Sequence, residues 1–339
     1  MLPQRPERSE RAGLAWRLLA AVVLLGLAWL LREAVIVAFG AVLIAAALVA
    51  PAKYLQRWTG WPQRRCVLLV VLGVTAALAA LFWLLGAPLA EQMRNLRQEL
   101  PRAWSLVQGW LDQQAWGRQL LELLGKPQDM QIPLSGIAGV ATGTLRAVSG
   151  AVLVLLMGVY LALDVPLYRR GLVRLFPPAR RAQIDGALAD AGHALTRWLM
   201  GQGVMMVVVG VVATVGLSLL GMPMALALGL IAGLLEFVPF FGPIVSGLIA
   251  VLVAFSQGPQ MALYVALLFF AIQQLEEVLL VPLVQRWAVK LPPVLGLLGV
   301  MVFGTLFGLP GIVFGTPLMV LGMVLVQRLY VEQTLEGRA

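Results

Sequence analysis

Charge, cysteine and histidine are all scarce in this sequence. Only 12% of its 339 residues are Asp, Glu, Lys or Arg, and 60% are hydrophobic, whereas charged residues make up about 25% of a typical soluble domain. So little polar material cannot cover a water-facing surface, which excludes an ordinary soluble fold. A single cysteine, Cys66, rules out an intrachain disulfide and any thiolate metal cluster. The lone histidine, His193, rules out a His-based metal centre and an HExxH motif. No Gly-rich segment runs into Lys-Ser or Lys-Thr, so the phosphate-binding loop of ATP-driven pumps is missing. The chain is therefore not expected to be an enzyme, nor to need a cofactor or metal.

Apolar runs dominate what is present. Leu14 to Leu31 and Ala34 to Ala50 follow one another across an Arg32-Glu33 turn, and both are expected to be retained membrane helices rather than a cleaved leader. A third run covers Cys66 to Ala87, a fourth Leu145 to Leu163, a fifth Leu199 to Leu220 and a sixth Met261 to Val284. The predicted fold is an all-α polytopic membrane protein with about six full spans plus two broken or re-entrant helical hairpins. Four regions are expected: residues 1–87 with helices 1–3; 88–133, an amphipathic helical region on the outer surface with a break at Pro101; 134–220, helices 4 and 5 with a basic loop; and 221–330, two hairpins and one full span.

The formal charge of +9 raises the question of nucleic acid, and charge placement answers it. Most Lys and Arg fall in the first residues, in the segment from Lys53 to Arg65, in the cluster from Arg169 to Arg197 and near Arg286. With the N-terminus inside, these all lie on the inner side, as the positive-inside rule requires. The excess is a topology signal: a bacterial inner-membrane, multi-pass protein with both termini cytoplasmic, no nucleic-acid partner, and the lipid bilayer as its surroundings. The glycine-rich helices and the amphipathic region point to a homo-oligomer.

Two stretches interrupt apolar sequence where a spanning helix would not. Glu236-Phe-Val-Pro-Phe-Phe-Gly-Pro243 separates two runs of about twelve residues, and a span needs about 20. Gly308-Leu-Pro-Gly311 divides Pro293 to Val326 in the same manner. Proline removes a backbone donor, and bare backbone at membrane depth is tolerated only against protein or a water-filled cavity. Gly308, Pro310 and Gly311 form the expected tip of the second hairpin.

Only Glu236, Glu276 and Glu277 place carboxylates inside apolar runs, where an ionised side chain costs roughly 2.5 to 3.5 kcal/mol at a bilayer centre. Gln273, Glu276 and Glu277, at i, i+3 and i+4, share one helix face, and Pro282 beyond them is placed to kink the helix. The bland alternative is that these groups bond a neighbouring helix or reach water at an interface. The candidate substrate or ion pathway comprises Glu236, Pro239, Gly242, Pro243, Gln273, Glu276, Glu277 and Pro282. Gly304, Gly308, Gly311 and Gly315, and Gly229 with Gly233, have the spacing of close helix packing.

The Glu236 to Pro243 motif, Gln273-Gln-Leu-Glu276 followed by Pro282, and the glycine-rich Gly304 to Pro317 stretch together resemble the AI-2E (autoinducer-2 exporter) family. The resemblance implies a permease usually counted as eight membrane segments, associated with export of autoinducer-2, with some relatives linked to sodium/proton antiport. Glu277 stands where relatives more often carry a neutral polar residue, and Pro292 where many have histidine. The expected function is a secondary transporter of a small polar metabolite or signal, coupled to a proton or sodium gradient. The alternatives are a Na+(Li+)/H+ antiporter and a non-transporting membrane scaffold.

Overall fold

The computed structural model describes residues 31–114, 134–286, 289 and 291–335. The expected first helix from Leu14, the remainder of the outer region up to Pro133 and the basic residue Lys290 lie outside the described residues. Among the described residues every regular element is helical, and five helices are long and apolar enough to cross a membrane, or six if one bent pair counts as a span. The all-helical membrane architecture read from composition therefore holds.

Helix α1 (Arg32–Thr59) ends where Gly60 takes a left-handed conformation, φ 67°, and its N–H donates to the Gln56 carbonyl. Glycine adopts this geometry without a Cβ penalty, and Pro62 then sets the start of α2 (Gln63–Asp112). Lys53 and Arg57, expected in a loop, are thus on the last turns of α1. Helix α2 also departs from expectation: its 50 residues run unbroken through Pro88 and Pro101. At about 1.5 Å per residue it is roughly 75 Å long, more than twice a bilayer core of about 30 Å. Its second half packs against the rest of the chain: Leu96 is buried with Ala227, Leu228, Ala250 and Val253, flanked by Leu89 and Leu100. The Ala227 N–H donates to Gln92 Oε1, satisfying a backbone donor at a helix start. These contacts flank both prolines, and the helix continues past them.

Helix α3 (Leu134–Leu163) packs on α1, where Gly158 lies so close to Ile44 that a Cβ would overlap it. The chain then bends by 90° into α4 (Val165–Arg174). Asp164 makes the corner by capping α4, accepting from the Leu167 N–H at 3.3 Å while pairing with Arg64 at 2.7 Å. That guanidinium holds the Asp164 carboxyl below the ordinary carboxylate range, assisted by the Leu167 N–H. A depressed folded-state pKa stabilises the protein above the unfolded value, and the contribution is lost as pH falls through the folded one. Asp164→Asn is therefore expected to lower the melting temperature slightly at neutral pH and to flatten the acid limb of a stability profile below about pH 4. A thermal melt series from pH 7 to pH 3 measures both.

After a short 3-10 turn, α5 (Arg181–Leu219) runs 39 residues as one helix, joining the basic helical stretch and the fifth apolar run expected as separate pieces. It is the central element, touching α1 and α4 and, further along the chain, the helices Ala225–Leu235, Pro259–Leu275 and Leu309–Val326. Next come two short helices, α6 (Ala225–Leu235) and α7 (Phe241–Phe255), which pack on each other as a broken element should. Glycine permits the α5–α6 crossing: a Cβ on Gly233 would overlap the Met206 carbonyl, and one on Gly229 would overlap Thr214. The Gly229/Gly233 pair is thus a packing motif.

Helix α8 (Pro259–Leu275) continues through a wide π-type turn, Glu276–Leu280, into α9 (Val281–Gln285). Finally α10 (Pro293–Phe307) and α11 (Leu309–Val326) fold against each other about Gly308, whose φ of 67° and ψ of −142° suit glycine. A Cβ on Gly315 would lie 2.7 Å from Val300 Cα, and one on Gly311 would overlap the Phe303 carbonyl.

Candidate functional site

The site begins with the failure of α6 to continue. Glu236 closes the helix, its N–H donating to the Ala232 carbonyl. Pro239 has no N–H, and Phe240 then takes φ 69° and ψ −48°, a conformation rare for a residue with a bulky side chain. Gly242 turns so close to the Leu235 carbonyl that any Cβ would overlap it. The tip is fastened to α5 by edge-to-face packing of Phe237 on Trp198, with centroids 5.7 Å apart. Gln202 Nε2 donates to the Glu236 carbonyl, capping one of the acceptors that a helix end leaves unpaired.

The Glu236 side chain is buried, and its Oε2 has no hydrogen-bond partner. A buried acceptor left unmatched costs about 1 to 3 kcal/mol, more if it is charged. Its carboxyl comes within direct interaction range of Glu276. Glu276 owes its place to the π turn. Pro282 cannot donate to the Val278 carbonyl, and the preceding turn widens so that the Val281 N–H bonds the Glu276 carbonyl instead. The expected disturbance at Pro282 is therefore expressed one turn earlier, at the carboxylates.

Both glutamates line a cavity of 310 Å³. Of the residues expected to form a pathway, Glu236, Pro239, Gln273, Glu276 and Glu277 line it, whereas Gly242, Pro243 and Pro282 shape the backbone beside it. The tip Gly308, Pro310 and Gly311 does not line it; α10 contributes its first turn instead, through Pro292, Pro293 and Gly296. Because α10 extends about 20 Å from Pro293 to Phe307, the first hairpin's tip meets the base of the second. Sequence reading missed Gln202, Thr316 and Trp198. Gln202 was findable as an amide near the start of an apolar run; Thr316, buried between Gly315 and Pro317, had no signal distinguishing it from packing.

Chemically, the cavity is one-sided. Three carboxylates, two amides (Gln202 and Gln273) and the Thr316 hydroxyl face it, and no Lys or Arg does so among the described residues. Glu236 caps the end of α6, where the backbone dipole is negative, and Glu276 opens the widened turn after α8. This arrangement attracts a cation, a proton included, and leaves neutral hydrogen-bonding groups for a polar solute.

A family model described as "AI-2E family transporter" matches residues 18–330. The chain belongs to the AI-2E transporter family. MT0215 of Mycobacterium tuberculosis, a protein named for transport, is 27% identical over 322 residues, covering 90% of this chain and 87% of the relative. The similarly named sll0060 of Synechocystis is 26% identical over 292 residues, covering 82% and 83%. YrrI of Bacillus subtilis, also named for transport, is 28% identical over 158 residues, 47% of this chain and 45% of that protein. Membership makes this AI-2E chain a multi-pass transporter-type protein.

Proposed function

We propose that this AI-2E protein is a secondary transporter that exports a small polar metabolite or signal of the autoinducer-2 class, driven by a proton or sodium gradient. The observation carrying this reading is the buried Glu236 carboxyl, with an unpartnered oxygen, facing Glu276 in a cavity without a basic group among the described residues. Two carboxyls in such a place need a cation between them, and the solute's hydroxyls have Gln202, Gln273 and Thr316 within the same cavity. Its volume of 310 Å³ lies at the small end of ligand sites, about 300 to 1,000 Å³, which fits a small polar molecule rather than a large lipid. The membrane is the bacterial inner membrane with both termini cytoplasmic, on the placement of Lys and Arg.

In inside-out vesicles, whose lumen corresponds to the outside of the cell, radiolabelled autoinducer-2 is expected to accumulate when the lumen is made acidic or sodium-rich relative to the bath. Equal accumulation without any gradient would overturn the coupled mechanism. Cation/proton antiport is the second reading, favoured by the three carboxylates in one cavity. A sodium- or lithium-induced dequenching of a pH-gradient dye, with no solute present, would select it.

A further inference from the structure

A second cavity, of 780 Å³, opens between the last turns of α1 and the first half of α5. Lys53 and Arg57 line it from one helix and His193 and Arg197 from the other, each pair one turn apart. Lys53, Arg57 and Arg197 have no carboxylate within ion-pair distance among the described residues. Neighbouring arginines on the same side of the protein behave differently: Arg169 pairs with Asp185 at 2.8 Å, and Arg328 takes both Asp190 and Glu332. Like charges converging on one cavity repel, and among the described residues no carboxylate lines this cavity; Asp190 and Glu332 lie on the far side of Arg197, where they pair with Arg328.

The cavity has a second character. Both helices pass from apolar to basic in the same sense: Val49, Ala50 and Met200 lie toward the long apolar runs, and the basic groups lie toward the helix ends. Tyr54 lines the cavity and packs at 5.9 Å on Trp58, which is 77% exposed. Exposed Tyr and Trp side by side mark the level of lipid headgroups. A free anion would use the basic half alone. An anionic lipid uses both halves, and basic pockets between membrane helices are known headgroup sites.

We propose that this cavity binds the phosphodiester headgroup of an anionic membrane lipid, with Lys53, Arg57 and Arg197 on the phosphate and Val49 and Met200 along the acyl chain. The site is separate from the Glu236–Glu276 cavity, and it stands whether or not the coupled-export reading does. Native mass spectrometry of the purified full-length protein in neutral detergent, titrated with phosphatidylglycerol or phosphatidylcholine, tests it. Phosphatidylglycerol is expected to give at least about tenfold higher occupancy. The triple variant Lys53→Gln, Arg57→Gln, Arg197→Gln should fall to the phosphatidylcholine level. An equal charge loss on α2, Arg94→Gln, Arg97→Gln, Arg102→Gln, should leave binding unchanged. Equal occupancy by both lipids, undiminished binding in the cavity variant, or full displacement of the lipid by equimolar inorganic phosphate would each overturn the proposal. Should the cavity variant fail to fold, hydrogen exchange on the wild type decides. Phosphatidylglycerol must slow exchange in residues 49–59 and 193–200 relative to phosphatidylcholine, and no difference contradicts the assignment.

Discussion

Glu276→Gln is expected to leave the protein folded and in the membrane while reducing gradient-driven transport at least about 100-fold, equivalent to about 2.7 kcal/mol in the coupled step. The substitution keeps shape, removes the negative charge and exchanges one acceptor oxygen for a donating NH2. If a cation is what balances Glu236 against Glu276, one carboxyl alone no longer holds it in the same way. Like charges about 4 Å apart repel by about 4 kcal/mol at an effective dielectric of about 20, and relief of that repulsion is what drives cation capture. Glu236→Gln should have the same effect on transport and little effect on stability. Its Oε2 is already unpartnered and buried, so an amide NH2 in that place exchanges one unmatched polar group for another, and the variant should melt close to the wild-type temperature. Glu277 is exposed and lines the cavity rim, so Glu277→Gln should alter transport less than either. Wild-type transport by Glu276→Gln would remove the carboxyl pair from the mechanism.

The second large effect is structural. Gly233→Leu would drive a branched side chain into the Met206 carbonyl at the α5–α6 crossing. Overpacking a tight interface costs roughly 1 to 3 kcal/mol, occasionally more, and a clash with backbone cannot be relieved by a rotamer change. Displacing α6 also carries away Glu236 and breaks the Gln202 hydrogen bond at the hairpin tip, so stability and transport should fall together. Gly203→Ala supplies the contrast. Nothing lies within 4 Å of the added Cβ, and alanine in a helix is favoured over glycine by about 1 kcal/mol. This variant should melt no lower than wild type. Monodispersity and melting temperature in detergent report on both substitutions.

The difference between these two glycines shows what the sequence could and could not convey. Spacing identified Gly229 and Gly233 as packing residues because close helix contact leaves a four-residue period on one face. Prolines and glycines at Glu236 to Pro243 and at Gly308 to Gly311 located both breaks, since few other residues permit such backbone. The carboxylates stood out because nothing but function or pairing justifies them in apolar runs. Long-range placement was less legible. Pro88 and Pro101 read as boundaries, yet α2 continues past them, with Leu89, Leu96 and Leu100 packed against the α6–α7 hairpin. Nor did local pattern show that the first hairpin's tip meets the first turn of α10 rather than the Gly308 tip, because that depends on where α5 holds each hairpin. Thr316 joined the cavity for the same reason. Lys53 and Arg57 were read as topology signals, and only the fold set them opposite Arg197.

The central claim is that outward solute movement is coupled to inward cation movement through the cavity between Glu236 and Glu276. Purified protein reconstituted in proteoliposomes loaded with a pH-sensitive dye, and in parallel with a sodium indicator, allows both fluxes to be followed after autoinducer-2 is added to one side. The account predicts that solute addition drives a stoichiometric proton or sodium flux in the wild type and none in Glu276→Gln. Solute movement at the wild-type rate with neither cation moving would contradict it.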